Sequence, residues 1–138
     1  MPLGGRLAII MSGSGKICLG IDWGEKRIGL ALGDTETKIA TPLQTVESLS
    51  DILEMIREEG ADIAVVGAPY KYPDSRELSP EFRKFLEDFR EKAGIQIVTV
   101  DERLTSKEAD ILPGDKKMKA GRDALAAMLI LQQYLNEL

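Results

Sequence analysis

The 138-residue chain predicts an α/β fold, a five-stranded mixed sheet whose first three strands are antiparallel, flanked by helices. Three observations predict it. Short β-type runs and segments of helical period follow one another in the order βββ, then α-β-α-β-α. ADIAVVGAP and much of IQIVTVDERLT are apolar with little interruption, as parallel strands buried on both faces are. The composition, 43% hydrophobic and 30% charged, is that of a globular domain. At this length one domain buries roughly two-thirds of the surface its unfolded chain exposes.

Residues 17–23 and 27–33 are β-compatible runs separated by a GEK turn, which predicts a hairpin, and KIATPLQTV supplies the third strand. SLSDILEMIREEG changes to a helical period: Ile52, Leu53 and Ile56 share a face, Ser50 is the expected cap, and Gly60 follows the end. SPEFRKFLEDFREKAG is the clearest helix, with Ser79 as N-cap, Pro80 in the first helical position and Gly94 as stop. Its Phe82, Phe85, Leu86 and Phe89 lie on one face and are expected in the core. IQIVTVDERLT ends in charged residues where the strand should leave the sheet, and Thr105 with Glu108 matches a capping box. The final segment, RDALAAMLILQQYLNEL, is apolar over most of its circumference and predicts a helix packed on the sheet.

Neither an internal repeat nor a low-complexity tract divides the chain, and no apolar run approaches the roughly 20 residues a membrane span needs. The N-terminal LAIIM is shorter than a signal-peptide core and lacks a small-residue cleavage site, so the expected location is the cytoplasm, with no membrane partner. Cys18 stands alone, which excludes an intrachain disulfide, and reads as a small buried hydrophobe.

The absence of histidine is the strongest chemical restriction: it removes Ser-His and Cys-His nucleophiles, His-ligated zinc and the usual neutral-pH general base. An enzyme built from this chain works with carboxylates, lysine, hydroxyls and hard cations held by oxygen, which points to magnesium or manganese. The net charge of −5 argues against broad attraction to nucleic acid, yet PGDKKMKAGR gathers Lys116, Lys117, Lys119 and Arg122 around the single Asp115. That basic loop reads either as a phosphate contact or as a solvated loop.

Three acidic residues stand in places that ask for an explanation. Asp22 interrupts the apolar run ICLGIDWGEKRIGLALGD, and an ionised carboxylate taken out of water needs a partner. Glu102 lies where a parallel strand ends, the usual place of a ligand site in such sheets. Asp123 precedes Ala127 and Ile130 at i+4 and i+7, so it points the way the sheet-facing residues point, and small Ala126 and Ala127 permit a close approach. Meeting at one spot, the three would require a cation or protonation, and a metal pair roughly 4 Å apart suits in-line attack on phosphorus. The structural alternatives are helix capping or a dipole interaction for Asp123, a salt bridge with Arg103 or Lys107 for Glu102, and Asp101 in place of Glu102. GSGK at 13–16 is not a phosphate loop, because Ile10 and Ile17 stand where glycine and a hydroxyl are required. Asp34 and Asp74 have turn contexts.

The segments LGIDWGEKRIGLALGD, AVVGAP, VDERLTSKEA and KAGRDALAAMLILQQYL, in this order, resemble the YqgF/RuvX family, relatives of the RuvC-type Holliday junction resolvases in the ribonuclease H-like superfamily. The resemblance covers residues 17–138 as a single nuclease domain and leaves 1–16 as an extension. It implies a metal-dependent endonuclease that processes the 16S ribosomal RNA precursor, with Asp22, Glu102 and Asp123 as catalytic and metal-holding residues. Lys26, Arg27 and Arg103 become phosphate ligands beside that site, and Mg2+ or Mn2+ the cofactor. The implied partners are an RNA precursor, branched DNA in a resolvase, and ribosomal particles, with the chain a monomer or homodimer. PYKYPDS replaces the P-L-N-x-D-G segment the family pattern calls for after AVVGAP. A non-catalytic RNA-binding assembly factor and a nucleotide-binding module of the actin and sugar-kinase type are the rival classes; the second needs two lobes.

Overall fold

In the computed structural model, which describes residues 15–69, 78–101 and 119–138, five strands form one sheet with helices on both faces. In chain order the elements are β1 (Ile17–Asp22), β2 (Ile28–Asp34), β3 (Ala40–Val46), α1 (Leu49–Glu59), β4 (Ile63–Ala68), α2 (Pro80–Ala93), β5 (Gln96–Asp101) and α3 (Lys119–Asn136). The sheet order is β3-β2-β1-β4-β5. The pairs β1–β2 and β2–β3 are antiparallel, while β4 runs parallel to both β1 and β5. Both the element order and the mixed sheet match the sequence expectation. The hairpin's first strand is thus central, and the C-terminal ends of β1, β4 and β5 open on the same edge.

Side-chain alternation divides the sheet into two unlike faces. Leu19 and Ile21 of β1, with Leu30, Ala64 and Val66, pack under Ile52 and Ile56 of α1 and Phe82, Phe85, Leu86 and Phe89 of α2. Cys18, Ala31, Ile63 and Val65 face the other way, against Ala127, Ile130, Leu131 and Leu135 of α3. No helix of the described residues is long and apolar enough to cross a membrane.

Local signals account for most helix ends. Ser79 Oγ accepts the Phe82 amide at 3.2 Å, Pro80 opens α2, and Gly94 closes it at φ 68°, as its sequence predicts. At α1 the expected cap needs correction. Ser48 accepts the Asp51 amide at 3.2 Å, whereas Ser50 lies inside the first turn. The reason is conformational: Ser48 holds the extended backbone a cap requires, and the helix has already begun at Leu49. Met55 joins Ile52 and Ile56 in the core, and Leu53 packs at its margin. Gly60 ends α1 in the left-handed region and gives its amide to the Ile56 carbonyl. Pro42, which cannot donate to a ladder, sits on the edge strand β3 beside a register shift at Leu30/Ala31. The Thr105–Glu108 box and Asp74 lie outside the described residues.

Candidate active site

β1 ends at Asp22, and the alternation that sends Cys18 towards α3 sends Gly20 and Asp22 the same way. Gly20 confirms the direction: a Cβ there would stand 2.7 Å from Leu131 Cβ and 2.9 Å from the Ala127 carbonyl, so α3 crosses with no room for a side chain. One strand over, Gly29 is the register partner of Asp22, and a Cβ on Gly29 would overlap the Asp123 carbonyl. The backbone of α3 at Asp123 therefore rests on β2 next to the residue paired with Asp22. Opposed Cα atoms of antiparallel strands lie about 4.5–5.5 Å apart, which makes Asp22 and Asp123 neighbours on one face.

The Asp123 carboxylate is three-tenths exposed, and its Oδ2 accepts from Arg27 Nε at 3.1 Å. Arg27 sits in the turn just before β2, with its side chain about four-tenths exposed. Because α3 begins at Lys119, Asp123 lies in its second turn, and the capping alternative considered for it does not hold. The i, i+4, i+7 relation does hold: Ala127 and Ile130 are buried against the sheet.

On the other side of β1, Trp23 turns towards α2. Its ring lies 5.6 Å from that of Phe82 at 65° and 5.8 Å from that of Phe85 at 29°. The chain leaving the sheet after Asp22 is thereby pinned to the aromatic core, which limits how far the end of β1 can move.

Asp101 ends β5, level with Ala68. Val98 and Val100 pack on the α3 side and Ile97 on the opposite side, so alternation puts Asp101 with Ile97, away from the face that Asp22 and Asp123 share. Lys26 is exposed in the β1–β2 turn, and Arg122 is half-buried on α3 beside Asp123. Lys119 opens α3, but its side chain lies outside the described residues, as do Glu102, Arg103, Lys116, Lys117 and most of PYKYPDS.

Gly20, Gly29 and Trp23 were not singled out by sequence reasoning. A signal for the glycines was present: Gly29, Ala31 and Gly33 alternate along β2, a row of small residues on one face, where a helix could approach closely.

Two carboxylates on one face, one of them already neutralised by a guanidinium, are a donor set suited to a hard divalent cation. Among the described residues no group of three potential metal ligands gathers. Cys18 offers no alternative nucleophile. Burial, then the Asp34 and Asp62 carboxylates, push its thiol up to about 11, which leaves it protonated at neutral pH.

The RuvX family profile, described as Holliday junction resolvase, matches residues 16–137. The chain belongs to the RuvX family. It is 36% identical over 131 residues to a Shewanella oneidensis protein named "Putative pre-16S rRNA nuclease", covering 86% of this chain and 93% of that one. A Chloroflexus aurantiacus protein of the same name is 32% identical over 133 residues, covering 88% and 87%. Among solved structures, Thermus thermophilus RuvC in complex with a Holliday junction substrate superposes with a TM-score of 0.59 at 16% identity, covering 88% of this chain and 94% of RuvC. The fowlpox virus resolvase bound to Holliday junction DNA gives 0.50 at 14% identity, covering 88% and 97%. These likenesses establish the fold as ribonuclease H-like. Family and fold together mark this RuvX chain as a nuclease.

Proposed function

We propose that the protein is a divalent-metal-dependent endonuclease acting in 5′ end maturation of the 16S ribosomal RNA precursor, with Asp22, Glu102 and Asp123 as its metal-holding catalytic residues. The observation that carries this reading is the seating of α3 on Gly29, which makes Asp123 a neighbour of Asp22 at the C-terminal edge of the parallel strands. The alternation along β5 turns Asp101 away from the face that Asp22 and Asp123 share, which supports Glu102 in its place as the third carboxylate. Bound there, Mg2+ or Mn2+ would supply activation of water and neutralisation of charge on the leaving oxygen.

The chain's own groups have separate tasks. Asp22 and Asp123 hold oxygen donors in place on a strand end and a helix, elements rigid enough to keep their geometry. Lys26, Arg27, Arg103, Arg122 and the lysines of the 116–119 segment would take backbone phosphates, which position the substrate without reading its sequence. The RNA substrate is supported by the names that the Shewanella and Chloroflexus relatives carry. The family description favours branched DNA as the second reading.

The test is cleavage of a precursor leader RNA and of a four-way DNA junction, side by side, by the purified full chain with Mg2+ or Mn2+. Metal-dependent RNA cleavage is expected, with a loss of at least about 100-fold in Asp22→Asn and complete loss in chelator. Cutting of the junction alone would replace the RNA reading. Cleavage of neither by folded protein would overturn autonomous nuclease activity and favour a non-catalytic assembly factor.

A further inference from the structure

Arg27 is the cation that the site supplies for itself. It stands in the connection that leads from Asp22 into β2, one residue before the buried Ile28, and its side chain remains partly in solvent. Its Nε meets Asp123 Oδ2 at 3.1 Å. Side-chain exposures of 42% and 30% let water screen the pair, and ion pairs this exposed are weakly held. The chain that brings Asp123 to Asp22 also brings a guanidinium to the same carboxylate, at a spot where a divalent cation would bind.

We propose that Arg27 is a displaceable counter-cation for Asp123: it occupies the carboxylate until a divalent cation takes that place, and the exchange frees the guanidinium for a nucleic-acid phosphate. The inference rests on the metal-site reading above. Two like charges beside one carboxylate repel, so the arginine weakens metal binding and metal binding weakens the ion pair, by the same factor in each direction. Before metal arrives, the ion pair offsets the charge of the Asp123 carboxylate. Afterwards a charged, planar donor suited to phosphate is left beside the scissile backbone.

The experiment measures Mn2+ affinity from the electron paramagnetic resonance of free Mn2+, on the full wild-type chain and on Arg27→Gln, Arg27→Lys and Asp22→Asn. Arg27→Gln is expected to bind Mn2+ about threefold tighter, the size set by a screened ion pair, and Arg27→Lys to stay within about twofold of wild type. In parallel, the Arg27 Nε–H resonance should move saturably as Mg2+ is added. Equal or weaker Mn2+ binding by Arg27→Gln, an equal gain in Arg27→Lys, or an Nε–H resonance unmoved at saturating Mg2+ would each overturn the exchange while leaving the metal site standing. Folded wild-type protein that shows no Mn2+ binding sensitive to Asp22→Asn would defeat the metal-site reading, and the exchange with it.

Discussion

The two faces of the sheet are built on opposite principles. Under α1 and α2 the side chains are large, and Phe82, Phe85 and Phe89 continue through Trp23 in a row of ring contacts. Under α3 the sheet offers Cys18, Gly20, Gly29, Ala31 and Gly33, and the helix answers with Ala127. The first arrangement removes much apolar surface from water and supplies stability. The second gives up side-chain volume so that a helix backbone can lie against the strands, and Asp123 comes to rest beside the strand partner of Asp22 as a result. A site of charged groups depends on such closeness, because a shift of an ångström between its side chains changes what they can hold together.

The contrast can be broken by single changes. Phe89→Ala removes a fully buried ring and should cost about 3–5 kcal/mol in denaturant unfolding, with metal affinity per folded molecule unchanged. A second effect belongs to the α3 face. The Cys18 thiol, with an ordinary value of 9.0, is pushed up to about 11 in the folded protein. Its contribution is therefore full below pH 9 and is lost as pH rises through 11, of the order of 2–3 kcal/mol once both states are ionised. Denaturant midpoints measured from pH 8 to 11 should fall in wild type more than in Cys18→Ala.

Gly29→Ala should be modest in stability and large in function. Overpacking against the Asp123 backbone costs about 1–3 kcal/mol. Cleavage and Mn2+ affinity should fall much further than that loss explains, since α3 must lift away from β2. If single-turnover cleavage tracks the folded fraction alone, the close seating of α3 is not what builds the site. The smallest effect sharpens a detail of the α1–α2 face: Ser48→Ala should cost about 1 kcal/mol through the lost cap, and Ser50→Ala no more than about half of that. Thermal melts of the two variants would separate them.

The α2 helix was readable to the residue because its signals are local: a hydroxyl cap, a proline in the first turn, aromatic residues at helical spacing and a glycine stop all lie within one stretch. The α1 cap was less so, since S-L-S-D offers two hydroxyls and only the backbone conformation of Ser48 chooses between them. The apolar pattern of α3 shows only from Arg122 onward, so Asp123 reads as terminal from sequence although the helix begins at Lys119 and Asp123 lies in its second turn.

By itself the sequence determined the order of the elements, the core-facing residues of α2, and the identity of the carboxylates Asp22 and Asp123 as charges out of keeping with their surroundings, whereas β5, expected to be buried on both faces, is an edge strand with no fully buried residue. Tertiary structure alone decided that β1 is central, that Gly29 lies beneath Asp123, that Arg27 holds that carboxylate, and that Asp101 faces away. Periodicity and capping are written over a few neighbouring residues, where short-range sterics and hydrogen bonds settle them. Contacts between a hairpin and a helix far along the chain exist only once whole elements have packed, and the space left by an absent side chain is a property of that packing.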